Sequence, residues 1–204
     1  MAKIKICGLK RTEDINYVNK YLPDYIGFVF FKKSSRYVSP ETAFELKKIL
    51  NPAIKAVGVF VDEDIDYILK LCRNNTIDMI QLHGNEDNDY INKLKSCTEK
   101  PIIKAIRVQS TIQLTKAECI PCDYLLLDTF IKDLYGGSGK TFDRTLIPSG
   151  YRDFFLAGGL DSHNIAAAIK ECSPYCVDLS SSVETGGCKD SDKIKQIIEI
   201  VRAT

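Results

Sequence analysis

Eight short apolar runs, spaced along the whole chain and separated by helix-like segments, limit this sequence more than any other feature. The runs are residues 3–7 (KIKIC), 25–30 (YIGFVF), 54–60 (IKAVGVF) and 77–82 (IDMIQL). They continue at 101–106 (PIIKAI), 123–128 (DYLLLD), 153–157 (DFFLA) and 175–180 (YCVDLS). Most are nearly continuous in apolar character, as parallel strands covered on both faces should be. Between them, residues 63–73, 86–96, 162–171 and 190–202 carry apolar side chains at helical spacing. Thr12 is a capping candidate for a helix over Thr12–Tyr21, and Ser39-Pro40-Glu41 reads as a helix start. Eight alternating units with no composition break predict a closed (β/α)₈ barrel formed by residues 1–204 as a single domain. At 204 residues the barrel is small, with roughly 25 residues per unit. The fifth connection, Val108–Pro121, leaves room for a brief helix, and the sixth, 129–152, is glycine-rich and irregular. An open doubly wound sheet is the alternative, but no Gly-x-Gly-x-x-Gly follows the first strand.

Charge excludes some functions. The chain has 28 basic and 27 acidic side chains, so it carries no broad electrostatic footprint for nucleic acid or an anionic membrane. No apolar run approaches the roughly 20 residues of a membrane span, and the N-terminus lacks the long apolar centre of a signal peptide. A cytoplasmic location is expected, with the eight cysteines as thiols. Cys119-Ile-Pro-Cys122 and Cys172-Ser-Pro-Tyr-Cys176 have separations compatible with a four-thiolate zinc site. Neither pair has a knuckle-like glycine turn, and buried thiols are common, so packing is the reading taken and no metal is expected.

In a barrel of this kind the site is built where the strands end. In order, those positions hold Cys7-Gly8, Lys32 to Arg36, Asp62, His83-Gly84, Arg107, Asp128, Gly158-Gly159 and Ser180-Ser181-Ser182. The seventh and eighth loops of the fold often bind phosphate. Gly158 and Gly159 let backbone approach an anion closely, and Ser180, Ser181 and Ser182 offer hydroxyls and N–H groups. Gly136 to Thr141 (GGSGKT) ends like a nucleotide-binding loop, but Leu134 stands where its first glycine belongs. That stretch is expected to be a loop over the site.

Several segments, in order, resemble the phosphoribosylanthranilate isomerase family: KICGL, GFVFFKKSSRYVS, QLHGNE, LLLDT, GGSGKTFD, LAGGLDSHNIAAAI and VDLSSSVETGGCKD. Ser182 and Arg144 depart from it, where the family usually has glycine and tryptophan. The resemblance implies a small (β/α)₈ barrel catalysing an Amadori rearrangement in tryptophan biosynthesis, with a phosphorylated small molecule as partner. It implies no metal and no cofactor. By the same resemblance Cys7 is the base, Asp128 the acid, and Arg36 the partner of the substrate carboxylate. The residues themselves agree with this pair. Both terminate strands on opposite sides of the barrel, so a substrate fits between them. A free thiol titrates near ~8.5, so a basic Cys7 requires cationic or N–H neighbours. His83 and Arg107 either touch substrate or order their loops. His163, at the start of the seventh helix, is expected at the surface.

Two other functions remain open at this stage: a catalytically silent phosphate-ligand-binding barrel, and a related enzyme such as indole-glycerol-phosphate synthase. The latter relies on lysine and glutamate at strand ends, where this chain has Cys7 and Asp128. Monomer and homodimer are equally compatible with the sequence. Strand alternation adds one expectation of its own. Lys5 is two residues before Cys7 and shares its inward direction, so it needs a buried acid, for which Asp178 on the adjacent eighth strand is the candidate.

Overall fold

The computed structural model describes residues 1–129, 142–148 and 150–204. Gly136–Thr141, the loop expected over the site, lies outside them. Eight parallel strands close into one barrel in sequence order. They are β1 (Lys3–Cys7), β2 (Tyr25–Val29), β3 (Lys55–Phe60), β4 (Met79–Leu82), β5 (Ile102–Val108), β6 (Tyr124–Thr129), β7 (Phe154–Leu156) and β8 (Cys176–Leu179). Closure is made by β1 against β8, where Lys3 pairs with Cys176 and Lys5 with Asp178. The helices are α1 (Thr12–Tyr21), α2 (Pro40–Ile49), α3 (Ile65–Arg73), α4 (Asn88–Lys95), α5 (Thr111–Ala117), α6 (Ile165–Cys172) and α7 (Ser191–Ala203). As anticipated, the fifth helix is only 7 residues long. Among the described residues the sixth connection holds only a 3₁₀ turn, Arg144–Leu146.

Local chemistry explains most helix starts. The Ser39 hydroxyl accepts from the Thr42 N–H with Pro40 at the first helical position, and the Asp190 carboxylate accepts from Asp192 and Lys193 at the head of α7. Thr12 does not cap α1. Instead Asp14 reaches back to the N–H groups of Lys10 and Arg11, at 3.0 and 3.1 Å, and pairs with the Arg11 guanidinium. An aspartate one turn inside the helix thus supplies the acceptor that the threonine was expected to supply. A shorter α6 is the other departure, since Asp161–Asn164 form a turn before it.

Alternation along each strand divides the apolar side chains into two sets. Ile4, Ile6, Ile26, Phe28, Ile80, Leu82 and their neighbours face the helices. Tyr25, Val57, Met79, Ile103, Leu126, Phe155 and Cys176 fill the barrel. Rings close the N-terminal end of the interior: Phe155 packs against Tyr25, Tyr124 and Tyr175, each at 5.6 Å between centroids. The cysteine pairs considered for zinc do not converge, for Cys176 is inside the barrel while Cys172 is on α6 and Cys119 is exposed. No cluster of three or more His, Cys, Asp or Glu able to hold a metal occurs among the described residues.

Candidate active site

One cavity of about 510 Å³ opens at the C-terminal end of the barrel, and Cys7, Arg36, His83, Asp128 and Asp178 all line it. Cys7 ends β1 and points inward because Gly27, its partner on β2, has no side chain. A Cβ at Gly27 would lie 2.5 Å from the Cys7 sulfur. Below it, Lys5 is fully buried and its ammonium donates to Asp178 Oδ2 at 2.8 Å, the pair that strand alternation predicted. Burial alone would lower the pKa of that ammonium, but attraction to Asp178 and Cys7 outweighs it and the net shift is upward. Lys5 is therefore held as a cation beneath the thiol. Burial also pushes the Cys7 thiol up; Lys5 and Lys189 pull against it, while Asp178 adds to it. So Lys5 acts on Cys7 in the expected direction without reversing the effect of burial.

The opposite wall is built from β4 and β6. Asp128 is buried, and its Oδ1 accepts from the Thr129 N–H at 2.8 Å. Its Oδ2 faces His83 Nε2 at 3.4 Å. On the other side of the imidazole, the Gln81 amide nitrogen lies 2.8 Å from Nδ1. That nitrogen is a donor, so in this arrangement Nδ1 accepts and the ring proton sits on Nε2, which lies near Asp128 without a hydrogen bond to it. The loop carrying His83 is fastened from behind. Glu86 accepts from the N–H groups of Asp62 and Gly84, and the buried Lys104 ammonium bridges Glu86 and the Gly84 carbonyl at 2.6 and 2.8 Å.

At a third side, Gly158 and Gly159 both have left-handed backbone, with φ of 81° and 64°. A Cβ at Gly158 would collide with Thr129, so only glycine passes there. Asn164 holds the Gly159 carbonyl at 2.8 Å. Ser181 and Ser182 begin a 3₁₀ turn, Ser181–Val183, while the Ser180 hydroxyl donates to the Cys7 carbonyl at 3.0 Å and ties the ends of β8 and β1 together. Gly158, Gly159, Ser180, Ser181 and Ser182 line the cavity, as do Lys193 and Gln196 of α7.

Arg36 lines the cavity too, but its guanidinium is already engaged with Glu184 at 2.8 and 2.7 Å. Glu184 was not foreseen, nor was Lys189, whose buried ammonium meets the same carboxylate at 2.6 Å. A signal for both existed, because Gly186-Gly187 is a two-residue turn that sets Glu184 opposite Lys189 in a small hairpin, β9 (Glu184–Thr185) and β10 (Cys188–Lys189). Gln81 and Gly27 also went unread. Arg107 pairs with Asp128 in register across β5 and β6 but is not on the cavity wall. His163 is exposed, as expected, at the cavity's rim.

A closed parallel barrel with a thiol, a carboxyl and glycine–serine loops around one cavity at its C-terminal end is the architecture of a (β/α)₈ enzyme with a small-molecule site. The chain belongs to the N-(5'-phosphoribosyl)anthranilate isomerase family, whose sequence model matches residues 4–200. It is 49% identical over 203 residues to the N-(5'-phosphoribosyl)anthranilate isomerase of Endomicrobium trichonymphae, covering 100% of both chains. The crystal structure of the phosphoribosyl anthranilate isomerase of Thermotoga maritima superposes with a TM-score of 0.90 at 35% identity, covering 100% of both chains. A further structure of such an isomerase, in complex with reduced 1-(o-carboxyphenylamino)-1-deoxyribulose 5-phosphate, gives a TM-score of 0.87 at 34% identity, again over 100% of both.

Proposed function

We propose that Cys7 and Asp128 carry out the Amadori rearrangement of N-(5'-phosphoribosyl)anthranilate to 1-(2-carboxyphenylamino)-1-deoxyribulose 5-phosphate. The chain is an aldose–ketose isomerase of tryptophan biosynthesis by its family; the assignment of roles is our reading. Asp128, as the acid, protonates the ribose ring oxygen, and the ring opens to a Schiff base. Cys7, as the thiolate, removes the proton from C2. The resulting enolamine becomes the ketone as its 2-hydroxyl gives up a proton and C1 takes one. Lys5 and Lys189 favour the thiolate electrostatically, and the His83 N–H faces the carboxylate that Asp128 becomes. Gly158, Gly159, Ser181 and Ser182 receive the phosphate, Arg36 the anthranilate carboxylate. We place the reaction in the cytoplasm, on a free phosphorylated substrate, with residues 1–204 acting as one domain.

One observation carries this reading. Among the described residues, three buried side-chain atoms lack a hydrogen-bond partner: Gln81 Oε1, His83 Nε2 and Asp178 Oδ1. All three residues line this cavity, together with Cys7 and Asp128. Buried polar atoms are seldom left unpaired, so three gathered at one cavity point to a ligand that brings its own hydroxyls there. A pentose does so.

The test is turnover of freshly formed phosphoribosylanthranilate, followed by loss of its fluorescence. Cys7→Ala and Asp128→Ala should each lower kcat by about 10²–10⁴-fold, with the unfolding midpoint preserved. Near-normal turnover in either variant removes that residue from its role.

A further inference from the structure

Glu184 takes no part in the proton transfers, yet its carboxylate holds two cations beside the cavity. Its Oε1 accepts from Arg36 Nε at 2.8 Å and from Lys189 Nζ at 2.6 Å, while Oε2 accepts from Arg36 Nη2 at 2.7 Å. Lys189, with a side chain 1% exposed, also donates to the Ser180 carbonyl at 3.0 Å. Arg36 reaches this position by crossing Gly8, where a Cβ would stand 2.5 Å from its Cδ.

A guanidinium has two edges that match a carboxylate, one made by Nε and Nη2, the other by Nη1 and Nη2. Glu184 occupies the first, and among the described residues nothing accepts from Nη1. The second edge is the one left for a ligand. Charge matters as much as geometry. Arg36 and Glu184 alone would cancel, and an incoming carboxylate would meet the negative charge of Glu184 at short range. Lys189 restores a net single positive charge. Remove Glu184, and the two cations repel each other and the guanidinium loses its anchor.

We propose that Glu184 and Lys189 are positioning residues that turn Arg36 into a carboxylate receptor, and that Lys189 fastens this receptor to the phosphate loop through Ser180. The proposal rests on the reading that Arg36 takes the anthranilate carboxylate. It extends that reading to two residues that touch neither the reacting atoms nor the carboxylate itself.

The experiment compares kcat/KM for phosphoribosylanthranilate with that for the analogue made from aniline, which lacks the carboxylate. The wild-type preference for the carboxylated substrate should be roughly 10–100-fold, the range of a charged hydrogen-bonded contact. Arg36→Met should bring it close to one. Glu184→Gln and Lys189→Met should each reduce it by about 10-fold, chiefly through KM. In Glu184→Gln, activity on the aniline analogue should stay within about 3-fold of wild type, whereas Lys189→Met, which also removes a cation near Cys7, should lower kcat for both substrates by the same factor on top of the change in ratio. Glu184→Asp, which keeps the charge, should recover part of the preference. A merely structural role would lower both substrates together and leave the ratio intact, and that result overturns the proposal. If Arg36→Met abolishes the preference but Glu184→Gln and Lys189→Met retain it in full, only the positioning inference falls. If Arg36→Met itself retains it, the carboxylate reading falls as well. Should Glu184→Gln fail to fold, Lys189→Met decides the matter by the same ratio.

Discussion

Two residues along each strand separate two different interiors in this barrel. Toward the N-terminal end, β2, β7 and β8 contribute Tyr25, Phe155 and Cys176; two positions later they contribute Gly27, Ala157 and Asp178. On β4 Met79 gives way to Gln81, and on β6 Leu126 gives way to Asp128. The lower layer is large and apolar, and the upper one is small or polar. A cavity exists because β2 and β7 shrink to glycine and alanine at the level where β1, β4, β6 and β8 turn polar. Each end therefore has its own task. Rings below hold the strands together by burial, and the groups above face a space they do not fill.

The sharpest way to break this division is to exchange the expected effects. Phe155→Ala removes the ring shared by Tyr25, Tyr124 and Tyr175. It should cost about 3–5 kcal/mol of stability, lowering Tm by on the order of 10 °C. Turnover measured well below that temperature should stay close to wild type. Loss of kcat without loss of Tm would show that the ring shapes the site rather than the fold.

Lys5→Met tests the boundary, since Lys5 belongs to the upper chemistry but lies beneath it. Breaking a buried pair commonly costs about 3–5 kcal/mol. The loss here should be about 2–3 kcal/mol, because burial already pushes the Asp178 carboxyl up and lets it take a proton when its partner is gone. Activity should respond separately. Lys5 pulls the Cys7 thiol down against burial, so without it the rise of kcat/KM with pH moves to higher pH. An unshifted profile would remove Lys5 from the environment of the base.

Gly27→Ala is smaller in chemistry and sharper in geometry. The added methyl would stand 2.5 Å from the Cys7 sulfur, against strand backbone that cannot recede. A cost of about 1–3 kcal/mol is expected from overpacking. The displaced sulfur should also lower kcat more than it raises KM. Equal stability and full kcat would mean that Cys7 has another rotamer from which it works.

How far these features could be read in advance depended on their range. Eight strands were legible because a parallel strand covered on both faces is apolar throughout, whatever lies beyond it. Cys7, Asp128 and the glycine–serine loops were legible because a strand end in this fold has a known place. Lys5 with Asp178 needed only alternation and closure. The same two-residue step, taken back from His83, leads to Gln81, yet a polar residue in an apolar run says nothing by itself about which imidazole nitrogen it will bind. The pairing of Arg36 with Glu184 joins residues 148 apart. No local pattern reports such a contact. Gly186-Gly187 announces a hairpin, but not that the hairpin delivers its two charges to the loop after β2.

That hairpin gives the last and smallest expected effect. Burial would raise the Glu184 carboxyl, but the hydrogen bonds and charges of Arg36 and Lys189 outweigh it, and the net shift is below the usual glutamate value of 4.5. A carboxyl whose folded pKa is depressed adds stability above its unfolded pKa, and that stability is lost as pH falls through the folded one. Glu184→Gln should therefore be less stable than wild type near pH 7 by about 1–2 kcal/mol, the scale of a charged hydrogen bond. In Tm this is roughly 2–8 °C. The gap should close as pH falls below 4.5. Phe155→Ala should behave in the opposite way, with a deficit that does not change over the same range. Phe155 has no proton to exchange, and two rings packed on it stay neutral there: burial and the Tyr175 hydroxyl push Tyr25 further up from its ordinary phenol value, and Tyr124 is pushed up to about 12. Thermal unfolding of both variants from pH 7 downward measures the difference directly. A Glu184→Gln deficit independent of pH would show that the carboxylate's charge adds nothing to the upper layer, and that its contribution is packing alone.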